Sequence, residues 1–445
     1  MLSFLNKYDD NYPYVSNFVI LSFCGYVIIW YLQIGYRISF LGTIRFEFIY
    51  AAFLSLLAIL TAGNVNLDCP VIKGIQLLFL VMIIQIPFSY DFDVSWNVFV
   101  DRVIKFSFMT IFIVCFVRSP KQLILFIAAF LLACMKMGQE GLIGQITGNL
   151  VWENQGVLRL HGSTPLYRHP NSFTGMALGT LPFIIYLFPI ASKFFKTILL
   201  VLLVFALNIV VHTGSRTGYV AFLGFLLLFF IKSKNKMKIL VTFLVAAAIL
   251  VPRIDEQYIQ RFDTIFTGKE IEGASMETRE VILEDAIKIF SEYPFGVGVS
   301  AFPSIRMKTF GRSQDTHNLY LEVATNLGIQ GLIVFFYFIY LLMSCLTNLQ
   351  KRMARQREKL KKEYDSFMSE NNRLGEVEKH LRDIDLLESV SKAVYFFIAV
   401  RLFLGLFGMD LYEIYWWFSS GLAISLFNIN KYSEIKTEKL LEAQH

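Results

Sequence analysis

Residues 194–212 read FFKTILLVLLVFALNIVVH, and Thr213-Gly-Ser-Arg-Thr-Gly218 follows them directly. The first stretch is apolar for long enough to cross a bilayer as a helix. Similar runs recur along the chain, in which 55% of the 445 residues are hydrophobic and 17% are charged. Soluble domains carry about 25% charged residues. The sequence therefore predicts an all-α polytopic membrane protein and excludes a disordered chain or a disulfide scaffold.

About twelve apolar runs are candidate transmembrane helices. They cover residues 17–35, 46–63, 70–88, 98–117, 121–137, 172–190, 194–212, 217–231, 237–252, 318–347, 390–409 and 412–428. Basic residues decide the orientation, because Lys and Arg in short loops are retained in the cytoplasm. They collect at 118–121, 193–196, 232–238 and 351–362. With both termini inside, all four clusters are cytoplasmic, and they explain the net charge of +6 without nucleic acid.

Two long polar segments interrupt the apolar runs on opposite sides of the predicted membrane. Residues 348–389 form a cytoplasmic insert with helical periodicity, in which Gly375 is a candidate turn. The insert either binds anionic lipid or binds a partner. Residues 253–317 are external and contain a helical pattern from Ser275, a candidate N-cap, to Glu292.

These segments predict a division of the chain into five parts. The parts are N-terminal transmembrane helices at 1–137, a core at 138–347 with external loops 138–171 and 253–317, the insert at 348–389, C-terminal transmembrane helices at 390–428 and a cytoplasmic tail at 429–445.

Arginine and histidine concentrate at the predicted outer face, where the orientation rule should deplete arginine. The residues are His161, His169, His212, His317, Arg159, Arg168, Arg216, Arg279, Arg306 and Arg312. An anionic ligand at this face would explain the enrichment, because the guanidinium fork binds phosphate oxygens bidentately and keeps its charge.

Three segments carry most of this signal, and each has a structural alternative. In His212-Thr-Gly-Ser-Arg216, Gly214 permits a tight turn and Ser215 can cap the next helix, so Arg216 lies at a helix N-terminus that favours anions. The alternative is a snorkelling interfacial arginine. Arg279 lies on the external helix, where a charged face is often only solvated. His317, in Asp315-Thr-His-Asn-Leu-Tyr-Leu-Glu322, has the alternative of a structural interfacial histidine.

The order of these motifs resembles the O-antigen ligase and polymerase superfamily. The resemblance rests on Thr213-Gly-Ser-Arg216, the external helix with Arg279, Gly296-Val-Gly298 and His317-Asn-Leu-Tyr-Leu-Glu322 before Leu327-Gly-Ile-Gln-Gly-Leu332. It also includes Arg159-Leu-His-Gly162 and His169-Pro-Asn171, and it covers residues 155 to 345.

The resemblance implies a metal-independent, inverting membrane glycosyltransferase at the outer face of the bacterial inner membrane. Such enzymes take a glycan from an undecaprenyl diphosphate carrier. Ligases transfer it to lipid A-core, and polymerases transfer it to another lipid-linked glycan. The essential arginines and histidine of the family map onto Arg216, Arg279 and His317. The insert at 348–389 departs from the compact pattern of the family.

The residue chemistry suits this reaction independently of the resemblance. Arg216 and Arg279, with Arg159 in support, can stabilise a departing diphosphate. His317 is the preferred general base, since neighbouring arginines keep it neutral, and Asp315 is the alternative. Asn171, Asn318 and Arg401 are the remaining supporting positions.

Arg401, inside a predicted span, either lines the ligand cavity or bonds backbone carbonyls. The chain shows no Asp-rich metal site, so neither a metal nor another cofactor is expected. Asp101, Arg102 and Lys105 are read as interfacial anchors.

A transporter of a small anion or glycan is the rival interpretation. Transport would favour broken helices and polar sites near the bilayer midplane. Here the polar residues concentrate at the outer rim, with Arg401 as the exception.

Overall fold

A computed structural model describes residues 12–154, 156–233, 235–250, 252, 254–267, 275–362, 371–408 and 411–442. The helices are α1 (Asn17–Leu32), α2 (Ile34–Arg37), α3 (Ser39–Thr43), α4 (Phe46–Thr61), α5 (Pro70–Gln85), α6 (Phe92–Val98), α7 (Lys105–Phe116), α8 (Pro120–Thr147), α9 (Pro170–Leu187), α10 (Lys193–His212), α11 (Arg216–Lys232), α12 (Lys236–Leu250), α13 (Glu256–Thr267), α14 (Ser275–Glu292), α15 (Phe302–Phe310), α16 (Leu319–Lys362), α17 (Asn371–Leu404) and α18 (Ile414–Glu442). A π-helix (Phe99–Ile104) precedes α7, and short 3₁₀ helices lie at Ala62–Asn64 and Pro165–Tyr167.

The predicted all-α class is confirmed, and each predicted span contains helix. Three described helices, α8, α10 and α16, are both long and apolar enough to cross a membrane, and α1, α4 and α5 are shorter apolar helices. The number of twelve spans stays a prediction. Among the described residues, the one element of β structure is an antiparallel hairpin. It pairs β1 (Val151–Asn154) with β2 (Val157–Leu160).

Helix α16 continues beyond the predicted end of its apolar part, and α17 begins before the predicted start of its apolar part. Gly375, where the sequence allowed a turn, lies inside α17, so that expectation is wrong. The polar halves of both helices pack with the C-terminal half of α18. Gln356 on α16 donates to Asn430 Oδ1 on α18 at 2.8 Å, and both residues are buried. The insert and the C-terminal segment therefore form one three-helix bundle.

Helix α14 has the predicted bounds, Ser275–Glu292. Its buried face contains Ile282, Ala286 and Ile289, each at most 1% exposed. The side chain of Ser275, the candidate cap, lies outside the described part of this helix.

A break in the backbone of α16 fixes α14 to the rest of the chain. Gly328 has a φ of 71° and a ψ of −167°, which interrupts the helical backbone. The loop after α14 packs against the break: Ile329 N donates to Pro294 O at 2.9 Å, and Val297 N donates to Thr325 O at 2.9 Å. A Cβ on Gly296 would lie 2.6 Å from Asn326 O, so the two backbones are in close contact. The glycines at 296 and 328 make this approach possible.

Candidate active site

The turn between α10 and α11 has the predicted geometry. Gly214 adopts a φ of +55°, and the Ser215 hydroxyl accepts a hydrogen bond from Gly218 N at 3.0 Å. Arg216 is then the first residue of α11. Its half-buried side chain starts at the helix terminus whose free N–H groups favour an anion.

The hairpin brings Arg159 to this turn. Arg159 is 7% exposed, and its Nε donates to Thr213 O at 2.9 Å while Nη2 donates to Asn171 Oδ1 at 3.1 Å. The same Asn171 oxygen accepts from the Ser215 hydroxyl at 2.8 Å. Asn171 thus joins the hairpin, the start of α9 and the cap of α11, so it orients Arg159 relative to Arg216.

A further arginine, Arg261 on α13, joins the cluster. Arg261 is 2% exposed, and its Nε lies 3.5 Å from Gly214 O. Burial and then Arg261, with smaller contributions from Arg216 and Arg279, lower the pKa of Arg159 to about 10. Arg159 and Arg261 therefore bond neighbouring carbonyls of one turn, and the charges of Arg216 and Arg279 also act on Arg159.

Sequence reasoning missed Arg261. The available signal was its place in the arginine-rich segment 253–317, but its residue type alone does not separate it from its neighbours there.

Arg279 approaches the cluster from α14. It is half-buried, and its charge lowers the pKa values of His317 and His169 as well as that of Arg159. The loop contacts at Gly328 couple α14 to α16, whose first residue follows His317 by two positions. The fold therefore couples the elements that carry Arg279 and His317 through a direct backbone contact.

His317 lies immediately before α16 with a left-handed φ of +48°, an uncommon conformation for a residue with a side chain. Burial, followed by the positive charge of Arg279 and more weakly that of Arg306, lowers its pKa, while Asp315 opposes this shift. Burial raises the pKa of Asp315, whose Oδ1 accepts from Thr316 N at 3.2 Å. A neutral imidazole near pH 7 is the form that can accept a proton.

A second histidine, His169, lies near the same charges. Its Nδ1 accepts a hydrogen bond from Asn171 N at 3.2 Å, so it caps α9. Burial, then Arg159, His317 and Arg279, lower its pKa. The sequence placed His169 at the outer face but did not identify it as a rival proton acceptor.

Other predicted positions have structural partners. Asp285, which is 2% exposed, accepts from Arg306 Nε at 2.9 Å and from Arg312 Nη2 at 3.2 Å, so these two arginines neutralise a buried carboxylate. Asn318 Oδ1 accepts from Tyr320 N at 3.0 Å and from Leu321 N at 3.1 Å, which makes it the cap of α16.

Arg401 is 3% exposed inside α17. Its Nη2 donates to Gly175 O at 2.9 Å, and its guanidinium carbon lies 3.3 Å from the centroid of the Tyr415 ring. The backbone bond and the aromatic contact both stabilise the buried cation.

No group of three or more His, Cys, Asp and Glu side chains within the described ranges is arranged to hold a metal ion.

Residues 199–336 match the family described as O-antigen ligase. Over this stretch the chain is similar to the O-antigen ligase family, which supports the predicted resemblance to the O-antigen ligase and polymerase superfamily. The match covers a little under a third of the chain and includes the α10–α11 turn, Arg261, Arg279 and His317. No curated protein matches the chain. The match and the apolar helices indicate a membrane protein with glycosyltransferase-type chemistry on lipid-linked glycans.

Proposed function

We propose that the chain transfers a glycan from undecaprenyl diphosphate to a sugar hydroxyl, with inversion and without a metal ion. The acceptor is lipid A-core if the chain is a ligase and a second lipid-linked glycan if it is a polymerase. The observation that carries the proposal is a cluster in which Arg159 and Arg261 bond the α10–α11 turn before Arg216, and in which the charge of Arg279 acts on both Arg159 and His317.

The arginine cluster fits the leaving group. As the glycosidic bond breaks, the lipid diphosphate keeps the electron pair and gains negative charge. Preorganised cations that stabilise developing charge commonly make the largest contribution to catalysis. Arg216 and Arg279 are the half-buried members of the cluster, so we assign diphosphate binding to them. Arg159 has its guanidinium bonded to Thr213 and Asn171 and acts mainly in positioning and in the local field.

His317 is the general base in this proposal. The acceptor oxygen attacks the anomeric carbon, its proton moves to the neutral imidazole, and the bond to the diphosphate oxygen breaks in the same displacement. One displacement inverts the anomeric centre. The lowered pKa of His317 supports this role because a protonated imidazole cannot accept the proton. Asp315 modulates the base through its opposite charge.

The location of the site supports an outward-facing assignment. Helices α10 and α11 run between the arginine cluster and the basic residues at 193–196 and 232–238, so these two sets lie at opposite helix ends. Basic loops are retained in the cytoplasm. We therefore propose that residues 138–347 form the catalytic core, that the three-helix bundle is cytoplasmic with both termini and that the arginine cluster faces the outside of the inner membrane.

Reconstituted transfer tests the proposal. The purified protein in nanodiscs, given an undecaprenyl diphosphate-linked glycan and the glycolipid fraction of the host membrane, should form an inverted glycosidic product with EDTA present. Inhibition by EDTA would refute the metal-free mechanism. In a deletion strain, loss of lipid A-core capping identifies a ligase, whereas accumulation of single repeat units identifies a polymerase.

A further inference from the structure

A cavity of about 600 Å³ is lined by α2–α4 and by the π-helix with the start of α7. We propose that this cavity binds the sugar headgroup of the acceptor glycolipid; the inference rests on the proposed glycosyl transfer. Its volume is in the range of small-molecule sites, roughly 300–1,000 Å³.

Two elements that line the cavity also interact with residues at or near the candidate active site. Gln33 lines the cavity, and its Oε1 accepts a hydrogen bond from Leu166 N at 3.1 Å, three residues before His169. The π-helix contributes Asp101 to the lining, and the adjacent Arg102 acts electrostatically on Asp315. The cavity therefore adjoins the His317 side of the site, where an attacking hydroxyl must enter.

The lining has the chemistry of a carbohydrate site. Its charged groups are two cations and two carboxylates, so their formal charges cancel and do not favour a polyanion such as diphosphate. Lys105 and Asp101 form an ion pair, and Glu47 accepts from Gly35 N at 3.1 Å. Among the described residues, the Arg45 guanidinium has no ion-pair partner. Carboxylate, guanidinium and amide groups match vicinal hydroxyls, which both donate and accept hydrogen bonds.

The rim of the cavity suits a lipid-anchored ligand. Tyr36 and Phe48 line it and are 62% and 66% exposed. Exposed apolar side chains in a membrane protein contact lipid tails. A ligand with a neutral sugar headgroup and a hydrocarbon anchor can bind the polar lining with its headgroup and the apolar rim with its anchor.

Backbone strain provides a second indication of function. Gln33 and Arg45 both adopt left-handed φ values, 47° and 53°, although neither is glycine. Such residues cost free energy and cluster at ligand clamps, so their presence on both sides of one cavity supports binding there.

Photocrosslinking in native membranes tests the occupant directly. Tyr36→p-benzoylphenylalanine faces the cavity, while Phe40→p-benzoylphenylalanine is an equally exposed control that does not line it. Mass spectrometry of the adducts should find a glycolipid at position 36 and only phospholipid at position 40. Phospholipid alone at both positions would overturn the proposal. This readout requires no transfer activity, so it is independent of whether the proposed reaction is correct.

A kinetic variant tests the role of the acceptor site. Arg45→Gly removes the guanidinium while relieving the left-handed strain, so the fold should be preserved. We expect the apparent KM for the host glycolipid fraction to rise by about tenfold, with kcat and the KM for the donor unchanged. An unchanged acceptor KM would contradict the proposal. Absence of transfer by the wild type would instead refute the proposed function.

Discussion

The backbone of Phe295 lies against Gly328 so closely that a Cβ at position 328 would stand 2.3 Å from the Phe295 carbonyl carbon. Gly328 also has a φ of 71°, which side chains disfavour. Because this contact couples α14 to α16, we expect Gly328→Ala to destabilise the protein by on the order of 1–3 kcal/mol or more and to reduce transfer. Thermal unfolding and transfer in one detergent would measure both effects.

Gly375→Ala is the matched control for that variant. Gly375 lies inside α17, and a Cβ there meets nothing within 4 Å. Alanine in a helix interior is favoured over glycine by about 0.5–1 kcal/mol, so this variant should be slightly more stable. Equal melting temperatures for the two variants would show that the close contact at Gly328 is not required.

Arg279→Lys tests the fork geometry of the guanidinium. Lysine keeps the charge but cannot form two parallel hydrogen bonds to a phosphate. Loss of a charge-assisted bond corresponds to on the order of 10- to 100-fold in kcat/KM at normal expression. Arg312→Lys is the control, because Arg312 is an exposed partner of Asp285 and should tolerate the change. If Arg279→Lys turned over at the wild-type rate, Arg279 would be only a solvated surface charge.

Variants of His317 and Arg216 should separate donor-lipid binding from the chemical step of transfer. His317→Ala removes the base and should lower single-turnover transfer by about 10²–10⁴-fold while donor-lipid binding is retained. Arg216→Ala should weaken both, because this side chain contacts the diphosphate in our proposal. Donor binding and single turnover in nanodiscs would measure the two steps. If His169→Asn abolished turnover and His317→Ala did not, the base would be His169.

The sequence could predict those parts of the site that depend on local chemistry. Gly214 and Ser215 encode a turn and a cap by residue type, and the periodicity from Ser275 to Glu292 defines α14. Long-range pairing is different. Arg261 joins the site only because α13 packs against the hairpin, and Gly328 breaks α16 only because the loop at Phe295 fills the gap.

The hairpin illustrates the same limit. Its strands have four residues each, so their alternation is too short to detect against a polar background. The local signal was Gly156, which lies two residues after Asn154 and adopts a φ of +69° in the connection. The three-helix bundle also depends on pairing between segments far apart in the chain, such as Gln356 with Asn430.

Accessibility labelling tests the proposed orientation. The five native cysteines are buried, so single introduced cysteines can be read against a low background. Ser313→Cys lies in the exposed segment before His317, and Lys236→Cys lies at the start of α12, just beyond the end of α11 that is far from Arg216. An impermeant maleimide should label position 313 in intact spheroplasts and position 236 only after lysis. Labelling of position 236 alone in intact cells would place the candidate site in the cytoplasm.

The acid limb of the pH profile should report His317. The pKa of His317 in the folded protein lies below the ordinary value of about 6.5. The neutral base therefore persists to a lower pH than a free histidine would allow. We expect kcat/KM to fall only at a pH below about 6.5. Arg279 lowers this pKa and Asp315 raises it. Arg279→Gln should therefore move the acid limb to higher pH, and Asp315→Asn should move it to lower pH.

Because the two variants should move the acid limb in opposite directions, each is a control for the other. A general loss of structure would reduce kcat/KM at every pH without moving the limb in opposite directions. The profiles should be recorded as kcat/KM for the donor, which reports groups in the free enzyme. Because Arg279→Gln also weakens diphosphate binding, the position of the limb, and not the height of the profile, is the informative quantity. Abolished transfer in Asp315→Asn at every pH would assign the base to Asp315 and leave His317 a modulating role.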